Sequence, residues 1–338
     1  MSENRCSPHV PARVWPTIAI AGILAAACVA STPALDARAS DFHVLERGYR
    51  VKYFEACGTE GASLQYRQSD PYYIRPLIKD IKCSPGGPWG SYVYLLTTTQ
   101  DPAAGIWVDV ERDRFNGKSE YFRNTDVYDV GIQLSLAPVG WSGGDILFAG
   151  AGIPGGEGLI RWIQPSGAWD PRQTPADGLA HLLGPSAVDP GGDFAGSLFY
   201  VTDGVIQRVD DLGNESFFAQ PPSVGSEMRF GPGGQWGTDL YTGGYVIDPN
   251  GRVAAFPAVF DEFDWAQGGG FDGDMFELHR GNPYAVDRIE WDGTRTPFAT
   301  GPVNQVAFCD GSLWFTGPDG CYVVTPKGKH KSRTLVLR

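Results

Sequence analysis

The chain has 338 residues, 42% of them hydrophobic and 12% aromatic, and a formal net charge of −12. That charge excludes a nucleic-acid backbone or an anionic membrane surface as a natural partner, because both would be repelled. Its 45 Gly and 26 Pro are too many for a helical bundle, and they lack the three-residue period of collagen. Abundant aromatics punctuated by Gly favour an all-β protein with many turns.

Residues 1–39 read as an export signal. Arg5 and Arg13 precede an apolar run, Trp15 to Ala30, that is 16 residues long. A helix crossing a bilayer needs ~20. Ala37-Arg38-Ala39 offers a small-x-small cleavage site before Ser40. A second reading rests on Leu24-Ala25-Ala26-Ala27-Cys28, which resembles a bacterial lipobox and would make Cys28 a lipidated N-terminus after a leader ending at 27. Both readings place the protein outside the cytoplasm, secreted or periplasmic. Membrane contact then comes only through a lipid on Cys28. Residues 40–338 are expected to form a single domain.

Four cysteines remain in that domain: Cys57, Cys83, Cys309 and Cys321. An exported chain with an even number of cysteines points to disulfides. Short loops favour Cys57–Cys83 and Cys309–Cys321 among the three possible pairings. There is no CxxC pair to suggest zinc.

A repeat runs through the domain. Ser84-Pro85-Gly86-Gly87-Pro88-Trp89-Gly90 leads into Tyr92-Val93-Tyr94. Asp189-Pro190-Gly191-Gly192-Asp193-Phe194 leads into Leu198-Phe199-Tyr200, and Gly231-Pro232-Gly233-Gly234-Gln235-Trp236 into Leu240-Tyr241. Looser copies surround Trp141 and Phe271, and a shortened one surrounds Cys309-Asp310-Gly311. The anchors Val93, Ile146, Leu198, Leu240, Met275 and Leu313 are spaced by 53, 52, 42, 35 and 38 residues. Such spacing suits the ~40–50 residues of a four-stranded propeller blade. The expected fold is therefore all-β, a six-bladed β-propeller with four-stranded antiparallel blades around a central channel. Pro sets φ at each turn and Gly supplies positive φ, while the following Trp or Phe is expected to pack between blades. Closing the ring should place the strand Gly48–Phe54, and one at Thr334–Arg338, in or beside the last blade.

Counting back from each turn gives the first strand of each blade. The aligned positions are Asp80, Gln133, Pro185, Glu227, Glu262 and Gln305, with Asn304 adjacent. The next positions are Ile81, Leu134, Ser186, Met228, Phe263 and Val306, which are mostly apolar. This alternation predicts a channel lined with oxygen donors. Converging carboxylates need protons, water or a cation. Ca²⁺ accepts 6–8 oxygens in flexible geometry, so Asp80, Glu227, Glu262 and Asn304 are candidate metal ligands, with Gln133 and Gln305 as ligand-binding neighbours.

Two segments, GSLFYVTDGVIQRVDDLGNESFF (196–218) and GPVNQVAFCDGSLWFTGPDG (301–320), carry the strand, Asp-Gly turn, strand pattern. In this the chain resembles the six-bladed propellers of the NHL, gluconolactonase and strictosidine synthase-like families. Gluconolactonase-like enzymes hold a metal with Glu, Asn and Asp. That resemblance implies Asn304 as one ligand, although Val303 and Gln305 depart from the Pro-Asn-Gly pattern, and Asp80 in place of the first-blade Glu. The third-ligand motif has no counterpart. Elsewhere, Gly150-Ala151-Gly152-Ile153-Pro154-Gly155 spells GxGxxG but leads into another strand.

The first functional expectation is an extracytoplasmic module that binds a small molecule or a protein on one face, without an assembled nucleophile. The second is a Ca²⁺-dependent lactone or ester hydrolase at the channel. The third is a structural lipoprotein attached through Cys28.

Overall fold

The computed structural model describes residues 42–54, 57, 77–84, 86–101, 105–116, 118–124, 134–136, 147–151, 159–168, 185–210, 214–268, 270–279, 285–317 and 320–327. The leader, Cys28, Gln133, Trp141 and the strand expected at Thr334–Arg338 lie outside these residues.

Two strands, β1 (His43–Val44) and β2 (Tyr49–Phe54), precede the repeats. The first repeat forms β3 (Leu77–Cys83), β4 (Tyr92–Asp101), β5 (Gly105–Arg114) and β6 (Ser119–Asn124), and the second β7 (Leu134–Leu136), β8 (Leu147–Ala151) and β9 (Leu159–Ile163). The third contains β10 (Ser186–Val188), β11 (Leu198–Thr202), β12 (Val205–Val209) and β13 (Glu215–Ala219), and the fourth β14 (Met228–Phe230), β15 (Leu240–Thr242), β16 (Tyr245–Ile247) and β17 (Val253–Ala255). The fifth is β18 (Glu262–Trp265), β19 (Met275–His279), β20 (Ala285–Ile289) and β21 (Arg295–Thr300), and the last β22 (Gln305–Cys309), β23 (Ser312–Gly317) and β24 (Gly320–Pro326).

Each repeat is one antiparallel meander. The fold is an all-β propeller with four-stranded antiparallel blades. Five sheets reach four strands or more. The second sheet, β7-β8-β9, has three among the described residues, so the expectation of four strands in every blade is met in five sheets. β8, which holds the first two residues of the GxGxxG segment, pairs directly with β9, so the next described element is a strand and not the helix of a dinucleotide site; residues 152–158 lie outside the described residues.

Ring closure is visible in β2. It pairs with β24 from Tyr49↔Pro326 to Phe54↔Cys321 and completes the last blade as β2-β24-β23-β22. β1 extends the fifth sheet by pairing with β21. This placement brings Cys57 beside Cys321, and the two form a disulfide across 264 residues of sequence with Cα atoms 5.6 Å apart. The expected local pairings are therefore corrected: Cys83 and Cys309 are free thiols. Sequence proximity loses here to the return of the N-terminal strand to the final blade.

The glycine turns behave as their chemistry requires. Gly86 and Gly233 have the same φ of 88°, and each opens a single 3-10 turn that delivers a buried Trp. That φ is open to Gly and strained for other residues. Trp89 packs with Tyr94 and Phe122 of its own sheet and with Leu134 and Ile163 of the next. Trp236 packs with Phe263, Trp265 and Met275, Phe194 with Met228 and Leu240, and Phe271 with Val306 and Leu313. The periodic aromatics are thus cement between neighbouring sheets.

Two chemistries hold these plugs. Where the plug is Trp, a Tyr on the second strand donates its hydroxyl to the Trp carbonyl: Tyr94 to Trp89 at 3.0 Å, and Tyr241 to Trp236. Where the plug is Phe, the second-strand residue is Phe199 or Phe276, and an arginine on the third strand reaches the same carbonyl. Arg208 donates to Phe194 at 3.1 Å and Arg288 to Phe271 at 3.5 Å.

Candidate axial site

The first strands of the repeats converge, and their alternation is the predicted one. Ile81, Leu134, Met228, Phe263 and Val306 are buried among apolar neighbours, leaving Asp80, Glu227 and Glu262 on the other face. Carboxylate oxygens of these three lie within 4.8 Å of one another, close enough to share one cation, and all three residues are buried. Gln305 is also buried, at the start of β22 and paired with Thr316. Asn304 stands exposed just ahead of that strand, held through its backbone N–H to Thr316 O at 2.8 Å. Pro185 is buried ahead of β10.

Sequence reading missed the residue two positions further along each strand. A strand repeats its face every second residue, so Asp80 shares its face with Lys82, Glu227 with Arg229, and Glu262 with Asp264. Lys82 Nζ donates to Asp80 Oδ1 at 3.0 Å, to Glu227 Oε1 at 3.0 Å and to Glu227 Oε2 at 2.8 Å. Arg229 bridges Glu227 at 3.4 Å and Asp264 at 3.2 Å. Backbone donors complete the network. Asp80 accepts from Ile81 N at 2.7 Å and Leu134 N at 2.6 Å, and Asp264 from Trp265 N and Phe308 N, both at 2.8 Å. One strand's carboxylate therefore ties the backbone of the next, which fixes the spacing of the sheets around the axis.

Burial dominates the electrostatics. It pushes the Asp80 carboxyl up despite the opposing pull of Lys82, and Glu227 adds to the rise. It pushes Glu262 well above the ordinary glutamate range, again reinforced by Glu227. Glu262 Oε1 has no hydrogen-bond partner among the described residues, so no donor there offsets its burial. Asp264 is also raised by burial, with Arg229 opposing. Burial and Arg229 work against the Lys82 charge, yet Asp80, Glu227 and Glu262 hold its pKa above the ordinary lysine value. Four carboxyl groups, Asp80, Glu227, Glu262 and Asp264, thus share two basic side chains, Lys82 and Arg229.

A cavity of about 590 Å³ opens onto this network. Lys82, Glu227, Arg229 and Asp264 lie in its wall beside Ser84, Ser186 and Gln267, with Phe230, Trp265 and Phe308 as the aromatic part. Cys83 borders it as well. Behind Cys83, the buried Cys309 thiol is pushed well above its usual pKa by burial and by its hydrogen bond with Cys83.

No family model and no curated protein matches the sequence. Among solved structures, the chain is similar to a streptogramin B lyase at 12% identity, covering 82% of this chain and 98% of that one, with a TM-score of 0.47. It is similar to a gluconolactonase from Xanthomonas campestris at 12% identity, covering 75% and 99%, with a TM-score of 0.46. A glucose dehydrogenase matches at 13% identity, covering 75% and 83%, with a TM-score of 0.35. The assignment of this chain as a propeller rests on its own sheets.

Proposed function

We propose that the protein is an extracytoplasmic propeller that binds a small polar molecule, neutral or cationic, in the axial cavity. The carrying observation is the cavity itself. Its volume falls in the ~300–1,000 Å³ range of small-molecule sites, and its wall sets aromatic surface beside convergent polar groups. The excess of carboxylates over cations disfavours an anionic ligand. The three-stranded sheet β7-β8-β9 is read as the remaining blade of a six-bladed ring. The Cys57–Cys321 disulfide supports an oxidising compartment, which agrees with export by residues 1–39 or lipidation at Cys28. Intact mass of the mature N-terminus separates those two.

The test is a panel of sugars, lactones, esters, amines and carboxylates, read by thermal shift and calorimetry. A hit must be lost in Gln267→Ala, whose side chain lies in the cavity wall. A panel in which only carboxylates bind would overturn the reading. Turnover of a lactone or ester would replace it with the hydrolase reading, for which Glu227 and Asp264 are the carboxylates in the cavity wall.

A further inference from the structure

We propose that Lys82 is the resident cation of the axial carboxylate cluster, an ammonium ion standing where a calcium ion would otherwise be needed. The three N–H bonds of Nζ meet three oxygens: one of Asp80 and both of Glu227. The remaining Asp80 oxygen is committed to the backbone N–H of Leu134, and Glu227 also faces Arg229. Of the three clustered carboxyls, Glu262 alone keeps an oxygen without a partner among the described residues. Ca²⁺ requires 6–8 oxygens at 2.3–2.6 Å, and an ion at that distance from Asp80 and Glu227 would occupy the place of the ammonium. The donor set that remains does not fit calcium.

The substitution has a simple basis in the strand. Lys82 lies two residues beyond Asp80, so the pleat aims both at the axis, and the residue is 7% exposed. The counter-charge is part of the chain and does not depend on ion supply. It is independent of which ligand fills the cavity.

The experiment measures calcium bound to the purified protein after desalting, together with thermal unfolding in EDTA and in calcium chloride. The protein is expected to carry less than about 0.1 equivalent of calcium and to melt within ~1 °C under both conditions, since an ion that does not bind the native state cannot stabilise it. Lys82→Ser removes the ammonium and is expected to make melting calcium-dependent. Retention of about one equivalent by the unaltered protein, or a fall in its melting temperature of more than ~5 °C in EDTA, overturns the proposal. A folded K82S variant indifferent to calcium overturns it too. If K82S does not fold even with calcium, Lys82→Arg decides. Keeping the charge, it is expected to melt alike in EDTA and calcium, and calcium dependence in that variant would refute the assignment.

Discussion

The paired plugs Trp89 and Trp236 allow a differential test of what holds the sheets together. Both indoles are buried, and both sit at the same point of the repeat. Only one has its N–H satisfied: Trp236 Nε1 donates to Gly273 O at 2.8 Å, whereas Trp89 Nε1 has no partner among the described residues. Replacing either with Phe removes about 40 Å³, which at ~24 cal/mol per Å³ costs ~1 kcal/mol in cavity energy. The polar contributions then differ in sign. Trp236→Phe leaves a carbonyl without its donor, while Trp89→Phe removes a buried donor that has no partner among the described residues, each effect worth ~1–3 kcal/mol. W236F should therefore be less stable than W89F by at least ~2 kcal/mol, with W89F near neutral. Urea unfolding with unchanged m-values measures this directly. If W89F proved as damaging as W236F, the difference assigned to the two indoles would be wrong.

Other outcomes follow from the axial network and the thiols. Lys82→Met should destabilise by ~3–5 kcal/mol in calcium-free buffer, because it strands two buried carboxylates, and the loss is read from the urea midpoint. The Glu262 carboxyl has a folded pKa raised above its unfolded value, so the folded state binds the extra proton between those two values. Stability contributed by Glu262 is thus present at acid pH and falls as pH rises above the ordinary glutamate range. Glu262→Gln should flatten that decline; an unchanged pH profile of unfolding would contradict it. In a chain starting at Ser40, thiol titration should find two thiols after unfolding without reductant and four after reduction. Finding none before reduction would mean that Cys83 and Cys309 are also joined.

Much of the architecture was readable because propeller blades write their period into turns. The anchors Val93, Leu198, Leu240, Met275 and Leu313 all fall in the second strands of their repeats, and Asp80, Glu227 and Glu262 do converge. What escaped notice was period two carried one step further. Lys82, Arg229 and Asp264 share the axial face, yet only the intervening apolar positions were compared. Cysteine pairing was not legible for another reason. Nothing local marks Cys57 as a neighbour of Cys321; only the return of β2 to β24 makes them so. Asn304 was singled out by its neighbours in sequence, and its exposed position just before β22 depends on where that strand begins.

The seam between β2 and β24 has a consequence for how the molecule is made. Its two edges lie at opposite extremes of the domain, so a ribosome delivers one strand long before the other exists. Until β24 emerges, β2 presents an open edge and the hydrophobic surface beneath it waits uncovered. Joining the partners is a late, non-local event, and such contacts are slow to form. The crosslink at Cys57 and Cys321 then acts as a clasp on a finished ring, so interrupted synthesis or delayed oxidation would leave an aggregation-prone arc of sheets.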